Sequence, residues 1–176
     1  MADTNLAAAL AKFTDRVLRW TAQSMEDLSQ DEVHFRTYDG QNCIGFEAWH
    51  IARTADNLIH FAFEREQPIW MSRNLFEEWG LPKVDQGTGT SFDEVSSWVF
   101  PDGATIAGYL NDVADVIVPR IADMTPEYLD SITRIVPQGE LPKWEIIGQV
   151  IINHSNNHLG QINVGRSMQG KEGLGF

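Results

Sequence analysis

His154 and His158 stand four residues apart in the segment INHSNNHLGQI at 152–162. On a helix that spacing stacks two side chains on one face, about 5–6 Å apart at Cβ. Two imidazoles placed this way can share one metal ion, with bonds of about 2.0–2.1 Å in the case of zinc. The apolar stripe Ile147, Val150 and Ile151 runs forward onto both histidines, which predicts that the rings point inward. An unpaired polar group in a core is costly, and one cation would satisfy both. Two ligands rarely make a tight site, so a third is expected from another helix. His50 is the best embedded of the other three histidines, at the edge of the stripe Ile44, Ala48, Ile51, Ala55, Leu58 and Ala62. His34 falls in a polar break, and His60, ten residues beyond His50, lies about 80° round the helix from it. The expected metal set is therefore His50, His154 and His158, with water or substrate in the remaining positions as in catalytic sites. A core-facing histidine can instead simply hydrogen-bond a neighbour, and for His34, His60 and His50 taken singly that is the preferred reading.

Metal-bound imidazoles usually donate their second N–H to a polar group. Asn157 and Gln161 are the expected partners, with Asn153 also within a turn of a histidine. The zinc-peptidase pattern H-E-x-x-H does not apply, because the residue after His154 is Ser155, which cannot replace the Glu general base. Candidates for acid–base work are weaker. Glu47 stands three residues before His50, and Tyr109 could face a pocket with Trp70, Trp79 and Trp98. Ordinary packing is the preferred reading for each. Asp56 could hold Arg53 or the end of the segment that follows. QGTG at 86–89 has the glycines of a phosphate loop but no following lysine or strand. Cys43 reads as a small packed residue near a helix start.

Four long helices must position these groups. Leu6, Leu10, Phe13, Val17, Met25 and Leu28 give helical spacing over about 4–29. The second helix covers about 42–66, the third 103–123 with Pro119 expected to kink or break it, and the last runs from near Pro142 to near Gly170. Residues 67–101 form an irregular insertion. SRNLFEEWG reads as a short helix with Ser72 as N-cap and Gly80 beyond its end, and SFDE at 91–94 as a capping box for another through Trp98. The insertion is rich in Trp and Phe, has glycine hinges, and is expected to cover one mouth of the site. TPEYLD adds a turn, and SITRIVPQGELP reads as extended or irregular. The fold class is all-α, a four-helix bundle with an insertion between helices 2 and 3.

The 176 residues suit a single domain over 1–176. A net charge of −12 without a basic run argues against nucleic-acid binding. No apolar run approaches membrane-spanning length, no basic leader precedes an apolar stretch, and the lone cysteine excludes an internal disulfide. A cytoplasmic protein acting on a small molecule is expected.

AWHIARTADNLIHF at 48–61 and INHSNNHLGQI at 152–162, the latter containing H-x-x-x-H-x-G-Q, resemble the DinB/YfiT superfamily of small metal-binding helical bundles. GLPKVDQGTGTSFDEV resembles linkers in one branch, and the likeness covers nearly the whole chain. The resemblance implies an up-down-down-up helix order, frequent homodimers, nickel or zinc as the bound ion, and the same three histidines as ligands. It also brings thiol-dependent chemistry, since relatives include mycothiol-dependent maleylpyruvate isomerase and bacillithiol S-transferases. His154 stands where those isomerases carry a carboxylate ligand, so isomerisation of that kind is not the expectation. A divalent ion on three neutral imidazoles keeps its charge and lowers the pKa of a bound thiol or water. The expected activity is therefore transfer or isomerisation with a low-molecular-weight thiol. Alternatives are hydrolysis of a small molecule and a bundle that holds metal or ligand without turnover.

Overall fold

A computed structural model describes residues 5–174, so Thr4, where the first helical pattern is expected to begin, lies outside it. The fold is mostly helical. Helix α1 (Leu6–Met25) starts where the Asn5 side chain accepts from the Ala8 N–H at 3.3 Å. Its buried face is Leu10, Thr14, Val17, Leu18, Thr21 and Met25, while Leu6 and Phe13 are exposed. The inward stripe is thus rotated from the one the sequence suggested, because the small residues Ala7, Ala11 and Ala22 also face the core. A capping box between Ser29 and Glu32 opens the short helix α2 (Gln30–Val33).

Helix α3 (Ile44–Asp56) is buried on every side, including Glu47, His50, Arg53 and Asp56. An amphipathic stripe was expected, but this helix is central and its polar groups are turned toward protein partners. It runs on as a π-helical segment, Asn57–Phe63. The insertion follows with α4 (Ile69–Ser72), α5 (Leu75–Trp79) and α6 (Phe92–Ser96). Ser72 does not cap α5. It ends α4, and its hydroxyl donates to the Ile69 carbonyl at 3.3 Å. Asn74, in the left-handed region at φ 61°, leads into α5, and Gly80 at φ 66° closes it as expected. Ser91 accepts from the Glu94 N–H at 3.3 Å at the start of α6, which stops two residues short of Trp98.

Helix α7 (Gly103–Ala122) continues through Pro119, which lies in its last turn, so the i→i−4 hydrogen bond that it forfeits is one of the last in the helix. Gly103 is required by close approach, since a Cβ there would sit 1.9 Å from the Met25 carbonyl oxygen, and its own N–H donates to Leu28 at 2.9 Å. After α8 (Pro126–Asp130), the stretch of unsettled character forms an antiparallel hairpin, β1 (Ile132–Ile135) with β2 (Gly139–Pro142), pairing Ile132 with Pro142 and Ile135 with Gly139. The final helix begins at Lys143, directly after Pro142. It has three parts: α9 (Lys143–Ile146), a π-helical segment Ile147–Asn153, and α10 (His154–Met168). Helix α1 packs on α7 and α10, and α3 packs on the same two, so the histidine-bearing α3 and α10 lie side by side. No helix among the described residues is long and apolar enough to cross a membrane.

Candidate metal centre

His50 projects from α3 and His154 and His158 from the first turns of α10. His154 Nε2 lies 3.2 Å from His50 Nε2 and 2.9 Å from His158 Nε2. One ligand atom from each ring falls within 4.8 Å of the others. The three rings sit nearly edge-on to one another, with centroids 4.4–5.0 Å apart.

The last helix reaches this geometry through its π-helical segment. A wider turn shifts the phase of everything after it. The buried row continues from Ile147 and Ile151 to Ser155, Leu159 and Ile162. His154 and His158 each stand one residue before that row and are half-buried, facing α3 rather than the centre of the core.

Two of the rings are held by their other nitrogen. His50 Nδ1 donates to the Gln86 carbonyl at 2.5 Å, and His158 Nδ1 donates to the Glu47 carboxylate. Those bonds place the proton on Nδ1 and leave a lone pair on Nε2. His154 Nδ1 is buried without a hydrogen bond of good geometry. A proton on His154 Nε2 could serve one neighbour but not both, whereas a cation accepts all three lone pairs. The residues therefore suit a metal ion. Burial pushes His50 down to about 4, with the neighbouring histidines lowering it further and the Gln86 carbonyl pulling it up. Burial and then His158 push His154 down to about 4. Neutral rings are the form that binds metal.

Glu47 is 2% exposed and fully engaged. Besides His158 it accepts from Gln41 Nε2 at 3.3 Å, and Gln161, with its amide nitrogen turned toward it, donates at 3.1–3.2 Å. Gln161 thus reaches His158 through Glu47. Asn157 is exposed and lines a cavity of about 510 Å³ with Phe35, Tyr38, Ile44, Glu47 and Val164. Tyr109 is elsewhere. Its hydroxyl donates to Asp56 at 2.7 Å, its ring packs on Trp70 and Trp79, and burial raises it well above its ordinary value. The tryptophans form a packed aromatic cluster around Trp49 rather than a pocket wall. His34 and His60 have their own partners, His34 with the Gln30 carbonyl and the Phe100 N–H, His60 with Asp56. Cys43 is buried just before α3, and burial raises its thiol.

The insertion reaches the histidines through residues 84–90. Arg53 Nη2 donates to the Val84 and Asp85 carbonyls at 3.3 and 3.4 Å. The Asp85 carboxylate closes the turn on the Gly87 N–H at 2.6 Å and the Thr90 hydroxyl at 3.0 Å. Gly87 has φ +88°, and a Cβ there would lie 2.6 Å from the Phe46 ring. Phe46 in turn stacks on His50, with rings 5.5 Å apart and 8° from parallel. QGTG is therefore a seat for a histidine rather than a phosphate cradle. At its other end the insertion is fixed by Asp56, which accepts the Ile69 and Trp70 N–H groups at 2.9 Å. Asp56 holds the start of the insertion and Arg53 its later loop. No side-chain pattern could announce Gln86, since a backbone carbonyl does the work. Glu47 carried a legible signal in its place one turn before His50.

Comparison with known proteins agrees with this architecture. A conserved protein from Enterococcus faecalis superposes with a TM-score of 0.80 at 17% identity, covering 96% of this chain and 99% of that one. A DinB-like protein from Bacillus cereus ATCC 10987 superposes with a TM-score of 0.59 at 19% identity, covering 94% and 91%. No functionally curated protein matches the chain. The sequence pattern of the DinB superfamily matches residues 13–162, and the chain belongs to that superfamily.

Proposed function

We propose that this chain is a metal-dependent enzyme in which His50, His154 and His158 hold one divalent cation and a low-molecular-weight thiol is joined to a small electrophile. The observation that carries the reading is the convergence of three Nε2 atoms while Gln86 and Glu47 engage the Nδ1 atoms of two of the rings. Zinc or nickel suits three imidazoles. When bound, such an ion lowers the pKa of a coordinated thiol and so supplies a nucleophile near neutral pH.

The chain's own residues orient and shelter. The Gln86 carbonyl and Glu47 carboxylate fix the ring tautomers, and Gln161 and Gln41 fix Glu47. Phe46 and Trp49 exclude water behind His50. In the reaction a sulfur–carbon bond forms, the bond from that carbon to its leaving group breaks, and the thiol proton passes to water. We read the four long helical segments as an up-down-down-up bundle forming one domain, and the side-by-side packing of α3 with α10 and of α1 with α7 supports that order. A homodimer in the cytoplasm, free of nucleic acid and membrane, completes the reading on the strength of the superfamily resemblance and the composition.

Elemental analysis of purified protein beside His154→Ala and His158→Ala tests the centre. Near-stoichiometric metal in the wild type and loss in both variants is expected, and equal metal content in all three sinks it. The loaded enzyme, given N-acetylcysteamine and 1-chloro-2,4-dinitrobenzene, should release chloride only when the thiol is present. Turnover without thiol would replace transfer by hydrolysis.

A further inference from the structure

Two cavities flank the histidines, and their walls differ. The larger, near 510 Å³, touches Glu47, but none of the three imidazoles lines it. The smaller, near 170 Å³, has His154 in its wall. It lies where the 84–90 loop, the hairpin tip and the last helix meet. Thr54, Gln86, Thr88, Gln138, Gln149 and Asn153 surround His154 there, and no Lys, Arg, Asp or Glu lines it.

Some of that polarity is unspent. Thr54 is 3% exposed, yet among the described residues its hydroxyl has no hydrogen-bond partner, nor has Gln86 Oε1. Buried groups of this kind are normally satisfied, and exceptions in a cavity wall point to a ligand. Gln86 has two roles, its backbone carbonyl on His50 and its side chain in this wall. The volume is below the roughly 300–1,000 Å³ of pockets for drug-sized molecules, so the occupant is small or is one end of something longer.

We propose that this cavity is the reactant subsite of the centre and takes an uncharged molecule bearing N–H or O–H groups, such as an amide-containing thiol. The proposal rests on the metal-centre reading. Any charge that develops on the reacting atom is met by the cation. The remainder of the molecule meets amides and hydroxyls alone, and a carboxylate desolvated among them would find no positive side chain. The net charge of −12 further disfavours an anion.

The test uses cobalt-loaded protein and two thiols of similar size, neutral N-acetylcysteamine and anionic 3-mercaptopropionate. Affinity is read from the cobalt absorption, and location from NMR shifts of the glutamine side-chain amides. N-Acetylcysteamine should bind about tenfold more tightly and shift Gln86, Gln138 and Gln149. Thr54→Val and Gln86→Leu should each weaken it about threefold or more, with cobalt content unchanged in Thr54→Val. Equal or reversed preference, unchanged affinity in both variants, or shifts confined to residues around Tyr38 and Val164 overturns the subsite while leaving the centre intact. If the wild type retains no cobalt, the centre fails, and the metal-free NMR titration still decides whether a neutral ligand occupies this cavity.

Discussion

Glu47 shows how one side chain sets the behaviour of another. It accepts from His158 Nδ1 and is itself held by Gln41 and Gln161. Removing such a partner typically costs about 10–100-fold in metal affinity. Glu47→Ala should fall in that range in a chelator competition, and unchanged affinity would show that the carboxylate does not support the ligand. Protonation gives a second check. His50 and His154 take up protons only near pH 4 in the folded protein, against 6.5 for an ordinary histidine. Between those values the unfolded chain binds more protons than the native one. The metal-free protein should therefore lose stability as pH falls from 6.5 toward 4, with no slope from these rings above 6.5. Urea midpoints of metal-free protein at pH 7, 6 and 5 read this directly, and a flat series would mean that the rings are not held neutral. At this scale the sequence was informative about which histidines come together. The His154–His158 spacing and the apolar setting of His50 brought the same three rings together that the structure does. The Gln86 carbonyl was invisible because every residue has one, and Asn157 looked like a partner only because helical neighbours were counted without Glu47 from the facing helix.

At the scale of elements, the 84–90 loop and the glycine contacts determine whether those rings meet. Asp85→Ala removes the acceptor for Gly87 N–H and Thr90. The Gln86 carbonyl then drifts from His50, and metal affinity should drop by about tenfold while far-UV circular dichroism stays the same. Retained affinity would show that the turn does not depend on Asp85. Gly103→Ala meets the Met25 carbonyl at 1.9 Å and should cost at least about 3 kcal/mol in a denaturant titration, among the larger single-residue effects. A loss below 1 kcal/mol would mean that α1 and α7 separate easily. The long helices were legible from apolar spacing to within a few residues at most ends. Their π-helical segments were not, because a repeat of apolar residues reports side chains and says nothing of a carbonyl that bonds one residue further on. The complete burial of α3 was also hidden, since its Glu, Arg and Asp read as a solvent face until their partners arrive, those of Arg53 and Asp56 from the insertion and those of Glu47 from the last helix and Gln41.

For the molecule as a whole, Asp56 ties the insertion to the helices. Burial alone would raise its pKa, but the hydrogen bonds from His60, Trp70, Tyr109 and Ile69 outweigh that and hold it below 3.8. Its contribution is therefore complete above 3.8 and is lost as pH falls through the lower folded value. Asp56→Ala should destabilise by about 3–5 kcal/mol, the cost of breaking a buried charged network, and should expose residues 67–101 to protease before the rest. Uniform proteolysis would show that the insertion is anchored elsewhere.

The wide winding at Ile147–Asn153 also bears on how this chain tolerates deletions. An α-helix advances about 100° per residue, and the wide turn absorbs one such step, so excising Gly148 and restoring regular winding would leave the downstream imidazoles facing α3. Such a shortened protein should keep both its helicity and its metal in elemental analysis, which makes this stretch a place in the last helix where a lost residue spares the centre.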